Sequence, residues 1–187
     1  GHPCIATDLI LEHWKTEFEA VNRNIRKIAV ITPRRDKGIL NAFDLNQHIQ
    51  SLYNPRRDPI DQDRYEEYVT RRPLNRPQGA VSLQKTEAPN NDNYMVFRRG
   101  DRVMIHKNDY QAIRTKGLSI EDLMSPDSMA YLEYTKHYRG ETAIYNGYLG
   151  TILAVNEFGM IIDFDFAGEI FIPSTKFDNV NLGYAAT

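Results

Sequence analysis

"AIYNGYLGTILAVNEFGMIIDFDFAGEIFIP", residues 143 to 173, decides the reading of the C-terminal half of the chain. Apolar and β-branched residues crowd it, and turn chemistry interrupts it at Asn156-Glu157-Phe158-Gly159 and at Ala167-Gly168. That pattern predicts strands at about 148–156, 159–166 and 168–173, joined as a β-meander. Asp163 and Asp165 lie two apart, so on one strand they share a side, with Phe164 and Phe166 opposite. Paired carboxylates can hold a hard cation or exchange protons. The same alternation is what a half-exposed strand needs, and this simpler reading is preferred.

Working back from there, "LSIEDLMSPDSMAYLEYTKHY", 118 to 138, has helical spacing with a break at Pro126. Residues 109–143 therefore read as a helical insertion. "YMVFRRGDRVMIHKN", 94 to 108, reads as a strand in which Val103, Ile105 and Lys107 alternate with Arg102, Met104 and His106. Residues 55–93 differ from both. Prolines at 55, 59, 73, 77 and 89 and the polar run "APNNDN" mark an irregular insertion or linker, with a helical turn near 61–71.

The N-terminal part has another grammar. Ile10, Trp14, Phe18, Val21 and Ile25 recur at spacings of three and four, which predicts an amphipathic helix over 7–26 capped by Thr7 or Asp8. "KIAVITP", 27 to 33, reads as a short buried strand ended by Pro33. "RRDKG" is a charged loop. "NAFDLNQHIQSLYNP", 41 to 55, reads as a second helix with Phe43, Leu45, Ile49 and Leu52 on its apolar side. Helix, strand, loop, helix is the order of an α/β layer.

Composition sets outer limits. A chain of 187 residues, 41% hydrophobic, is long enough to bury a core as one domain or two small ones. No apolar run approaches the ~18 residues of a membrane span, and no secretory signal is present, so no membrane partner is expected. Cys4 is alone, which excludes an internal disulfide and points to a reducing, cytoplasmic setting. A net charge of -2 advertises no polyanion partner for the chain as a whole, although a local basic groove is compatible with it.

G-x-x-x-x-G-K-[ST] is absent, as are G-x-G-x-x-G, C-x-x-C, H-E-x-x-H and G-x-S-x-G. The histidines at 2, 13, 48, 106 and 137 are dispersed, so no zinc site is read from them. Arginine pairs stand at 34-35, 56-57, 71-72 and 98-99. Those at 56-57 and 71-72 have acidic neighbours and read as salt-bridged surface. Arg34-Arg35 directly follows the predicted strand, at the carboxyl end of an α/β layer, where ligands of such layers sit. Guanidinium forks match phosphate there, and solvated surface is the equal alternative. Finally, "GDRVMIHKN" and "YNGYLGTILAV" place Arg102, His106 and Lys107 with Tyr110, Tyr145 and Tyr148 on a small barrel. That combination either binds single strands by basic contacts and stacking, or is structural, with the tyrosines completing a core.

Four of these pieces together resemble RecD-like (superfamily 1B) DNA helicases. "IAVITPRRDKGILNAFDLNQHIQSLYNP" resembles the segment in which a strand ends in proline and a basic stretch, and a glycine and an asparagine follow at the spacing of Gly38 and Asn46. "FRRGDRVMIHKNDY" and "YNGYLGTI…IIDFD" resemble strands of the SH3-like barrel inserted in the second motor domain. "LGYAAT" resembles the beginning of a later helicase motif. The pieces occur in the family's order and cover about half of the residues. "GDRVMI…NGYLGTILAV" also resembles the KOW-type barrels of ribosomal and transcription-elongation proteins, which implies a non-catalytic module binding nucleic acid or protein.

The helicase resemblance implies α/β plus all-β architecture: a partial RecA-like motor domain 2A over 4–54, the insertion 55–93, an SH3-like barrel over 94–176 and a return to the motor domain over 177–187, where the chain would stop inside the motif. It implies a parent that hydrolyses ATP with Mg²⁺ and moves five-prime to three-prime on DNA, with no cofactor expected and no ATPase in this chain alone. Arg34, Arg35 and Lys37 become the candidates for ATP-phosphate contact. Arg102, His106, Lys107, Asn108, Asn146, Tyr184 and Thr187 become the candidates for single-stranded DNA. The partners implied are that strand and the first RecA-like motor domain; a separate reading takes 55–93 and 109–143 as insertions that dock other proteins. Three departures stand out: Asp36-Lys37 precede Gly38 where the family often has basic residues, a long stretch separates Asn108 from Tyr145 where the family usually has a few residues, and residues 55–93 are longer than the family norm.

Overall fold

The computed structural model describes residues 3–33, 40–57, 66–73, 94–115, 118–125 and 142–187. The chain divides into two compact units: Gly1–Arg56 with Val69–Met95 and Leu182–Thr187, and Arg57–Tyr68 with Val96–Asn181. Among the described residues no helix is long and apolar enough to cross a membrane.

In the first unit, helix α1 spans Pro3–Ala20. Trp14 and Phe18, one turn apart, are buried and stack with ring centroids 4.8 Å apart. The helix ends earlier than the apolar spacing predicts. Asn22 and Arg23 turn into the left-handed region, with φ 55° and 57°, and Arg23 N–H reaches back to the Phe18 carbonyl at 2.9 Å. Arg23 Nε also donates to Glu19 Oε1 at 2.9 Å. That hydrogen bond holds the Glu19 carboxyl below its ordinary range and the Arg23 guanidinium above its own. Ile25 still reaches the core, from a 3-10 turn over Ile25–Lys27 rather than from α1.

Strand β1 is only Val30–Ile31. It pairs in parallel with β11, Ala185–Ala186, in the register Val30↔Ala185 and Ile31↔Ala186. The expectation of a buried strand is corrected here. Val30 packs against the cluster of Ala42, Leu45 and Ala185, as Ile10 does, whereas Ile31, pointing the other way, is 85% exposed. Helix α2 spans Ala42–Tyr53. Asn41 caps it: its Oδ1 accepts from Asp44 N–H at 2.8 Å, and its Nδ2 donates to Asp44 Oδ2 at 2.8 Å. The buried face of α2 is Ala42, Leu45, Asn46, Ile49 and Gln50, two of them carboxamides, while Leu52 is exposed.

The second unit is built on a seven-stranded antiparallel sheet that curls into a half-barrel. Its strands are β4 (Arg102–Ile105), β5 (Asp109–Arg114), β6 (Thr142–Ile144), β7 (Leu149–Val155), β8 (Gly159–Phe164), β9 (Gly168–Pro173) and β10 (Val180–Leu182), in the order β10-β4-β7-β8-β9-β5-β6. The meander β7-β8-β9 matches the expected strands closely. Each turn has a local cause. Asn156 Oδ1 accepts from Phe158 N–H at 2.9 Å and Gly159 N–H at 3.2 Å, and Gly168 takes φ 73°. β8 stops at Phe164, so Phe166 lies in the following turn, 89% exposed, and is not on the apolar face with Phe164.

The segment 94–108 is two strands rather than one. β3 (Tyr94–Arg98) breaks at Gly100, φ 89°, and β4 follows; β3 pairs with β2 (Glu67–Pro73) as a separate two-stranded ribbon. Residues 109–143 also depart from a purely helical insertion. β5 pairs with β9 and β6, and helix α3 (Ile120–Leu123) is the only described helix between them. Leu123 and Met124 cover Ile113, Ala154, Ile161 and Phe171 on one face of the sheet. Met160, Ile162 and Phe164 are buried on the other. That two-sided cover is why β8 reads "GMIIDF", nearly continuous and apolar, instead of alternating cleanly.

Candidate nucleic-acid interface

The turn Tyr145-Asn146-Gly147-Tyr148 between β6 and β7 lies beside the end of β4. Gly147 N–H donates to Ile105 O at 2.7 Å, and Ile105 N–H donates to Tyr148 O at 2.9 Å. Gly147 has φ 89°, the conformation this Asn-Gly turn requires. Asn108, between β4 and β5, ties the two segments together. Its Oδ1 accepts from Asn146 N–H at 2.8 Å, and its Nδ2 donates to Tyr110 Oη at 2.8 Å.

Three tyrosines converge on this frame. The Tyr110 and Tyr145 rings meet edge to face with centroids 6.2 Å apart, and Tyr145 and Tyr148 do the same at 5.5 Å. Tyr110 is 63% exposed and Tyr145 44%. Lys107, Asn108 and Asn146 are exposed beside them. Asp109, next in sequence, is ion-paired with Lys176, so its charge is offset. The structure thus brings Lys107, Asn108 and Asn146 together, and adds the tyrosines that the sequence offered either for stacking or for the core.

Arg102 and His106 sit differently. Arg102 is 3% exposed and grips Asp165 with both guanidinium nitrogens, Nη1 to Oδ1 at 2.9 Å and Nη2 to Oδ2. Its charge is internal. Asp165 is correspondingly one half of a structural ion pair, and Asp163 is half-buried on β8. His106 is half-buried, with Nδ1 3.2 Å from Asn181 Nδ2.

In the first unit, Arg34, Arg35 and Lys37 lie outside the described residues. The residues flanking them on either side are described. Thr32 Oγ1 donates to Leu40 O at 2.6 Å, joining the residue after β1 to the residue before the Asn41 cap of α2. Tyr184 is fully buried and meets Tyr53 edge to face at 5.7 Å; Thr187 is exposed. Neither Arg102 nor Tyr184 presents its side chain at the surface.

Asn46 had only its spacing from Gly38 to mark it. Its Oδ1 accepts from Tyr184 N–H and Ala185 N–H, both at 2.8 Å, and its Nδ2 donates to Ala185 O at 2.9 Å. β1 bonds the opposite edge of β11, through Val30 N–H to Tyr184 O at 3.0 Å and Thr32 N–H to Ala186 O at 2.9 Å. The Asn46 carboxamide therefore stands where the peptide group of a neighbouring strand would.

No protein-family model matches this chain, and no curated protein matches it in sequence.

Proposed function

We propose that this chain is a part of an ATP-driven, RecD-like DNA helicase. In this reading the first unit belongs to the second RecA-like motor domain, and the second unit is an SH3-like barrel that guides single-stranded DNA. The observation that carries it is the construction around β1. The basic stretch Arg34-Arg35-Asp36-Lys37 stands in the sequence between the carboxyl end of a strand and a capped helix, and Thr32 bonds Leu40 across the two flanks. That same helix holds the segment "GYAA" through Asn46. A free-standing KOW-type barrel has no use for such a layer, which is why the motor reading is preferred over it.

The mechanism follows from linkage. ATP supplies an anionic γ-phosphate between two motor domains, and Arg34, Arg35 and Lys37 are the residues of this chain that would contact it. Guanidinium contact is strongest where negative charge develops during phosphoryl transfer. In this unit the exposed candidate for the single strand is Thr187, next to β11, and β11 pairs with the β1 strand that precedes the basic stretch, so nucleotide affinity and strand affinity would be coupled reciprocally. The P-loop and the Mg²⁺ site would belong to the first motor domain, so this chain alone would not turn over ATP.

The test uses a protein that joins this chain to a first motor domain. Arg35→Ala is expected to lower single-strand-stimulated ATPase roughly a hundredfold or more, with an unchanged melting temperature. ATPase at the wild-type level would sink the reading.

A further inference from the structure

We infer that Tyr110 and Tyr145 form a stacking platform for two unpaired bases of a single-stranded nucleic acid, with Asn108 as its positioning residue. The inference deepens the strand-guiding part of the function proposed above and rests on that part, independently of the motor assignment.

Geometry fixes how bases can bind. Rings meeting edge to face, at interplanar angles of 80° and 68°, leave no parallel slot between them. A base therefore lies on an outward ring face, and the two most exposed rings, Tyr110 and Tyr145, provide two such places. Duplex DNA keeps its base faces inside the stack, so the platform selects unpaired nucleotides. Stacking reads no base edge, so selection by sequence is weak. A proline-rich peptide would need a groove between aromatic rings, and the edge-to-face contacts fill those gaps.

The platform is held rigid. Asn108 fastens the Tyr110 hydroxyl with one end of its carboxamide and the Tyr145–Tyr148 turn with the other. Through these two bonds Asn108 positions both tyrosines. Lys107 stands beside the platform as an exposed cation, and Asp109 is offset by Lys176. One phosphate contact implies a shallow salt dependence, a slope near -0.7 in log K against log salt.

Fluorescence anisotropy of labelled oligo-dT, its duplex and a proline-rich peptide, titrated with this chain across a salt series, tests the proposal. The expected result is single-strand binding that Tyr110→Ala and Tyr145→Ala each weaken about tenfold, while Tyr145→Phe binds as wild type. Lys107→Ala is expected to flatten the salt slope. Asn108→Ala is expected to weaken binding with the slope kept, and to have no further effect in the Tyr110→Ala, Tyr145→Ala background. Melting curves of every variant separate loss of the platform from loss of the fold. Wild-type binding in both alanine variants, with single-strand binding intact, overturns the platform and leaves strand guiding standing. No single-strand binding by the wild type overturns both. Peptide binding that depends on the tyrosines, in place of oligo-dT, assigns the patch to protein recognition instead.

Discussion

Asn46 and Ala185, 139 residues apart in sequence, pair as two peptide groups do in a sheet, with Nδ2 to carbonyl at 2.9 Å and amide to Oδ1 at 2.8 Å. The relationship gives β11 a partner on the edge that β1 leaves free. Open edges invite pairing with other chains, and a carboxamide covers this one without adding a strand.

Asn46→Ala removes three hydrogen bonds and leaves two backbone N–H groups and one carbonyl without that partner in a buried place. The expected cost is about 3 kcal/mol, because unsatisfied buried polar groups carry the full desolvation penalty. Urea denaturation measures it. Amide exchange should quicken first at Tyr184 and Ala185. Asn46→Asp should rescue only partly, since a carboxylate keeps the acceptor but turns an oxygen toward the Ala185 carbonyl.

Arg102 and Asp165 lead to a second prediction. Arg102 is almost wholly enclosed, and Asp165 sits in the turn after β8. Asp165→Asn keeps the shape and leaves the guanidinium enclosed without its counter-charge, for an expected loss of about 3 kcal/mol. Thermal melting of the variant checks this. A loss below about 1 kcal/mol, the level of a surface ion pair, would show that water reaches the guanidinium.

Gly159 is required by a close approach rather than by backbone conformation. A Cβ there would lie 2.3 Å from Phe171 Cε2 and 2.9 Å from the Ile172 carbonyl oxygen. Gly159→Ala is expected to destabilise the chain by about 1–3 kcal/mol through overpacking. Adding Phe171→Leu should return less than the full cost, because the carbonyl contact remains. Chemical denaturation of the single and double variants measures both effects.

The loop base around Thr32 makes a local prediction. Thr32→Val keeps the side-chain shape and deletes the bond to the Leu40 carbonyl, worth about 1 kcal/mol. Asn41→Ala removes the cap of α2, at a similar cost of about 1 kcal/mol. Both variants are expected to speed tryptic cleavage at Arg34, Arg35 and Lys37 by several-fold. The rate of cleavage at Arg23, beyond the loop, serves as the control.

Much of this architecture was legible where a local rule determines it. The meander from Leu149 to Pro173 was readable because side chains alternate faces along a strand and Asn-x-x-Gly and Ala-Gly mark its turns. The α2 helix was readable because Asn41 precedes an apolar 3.6 period and Pro55 follows it. The end of α1 was misread because Val21 and Ile25 continue the helical spacing, while Asn22 and Arg23 leave the helix between them. β5 was misread because "DYQAIR" has no strong period of its own and becomes a strand through pairing with β9 and β6.

The sequence by itself determined the β7-β8-β9 meander with its turns, the capped helix α2, and the presence of aromatic and basic residues near the ends of β4 and β6. Those features depend on neighbours a few residues away. Only the tertiary structure decided that Arg102 is an interior charge, that Ile31 faces outward, that Asn46 completes a strand edge, and that Tyr110 meets Tyr145 over Asn108. Each of these depends on what the fold places opposite the residue. Arg102 and Asp165 are 63 residues apart, Asn46 and Ala185 139, and no local pattern encodes such a pairing. Burial and hydrogen-bond satisfaction are set by chain segments that meet only in the folded chain.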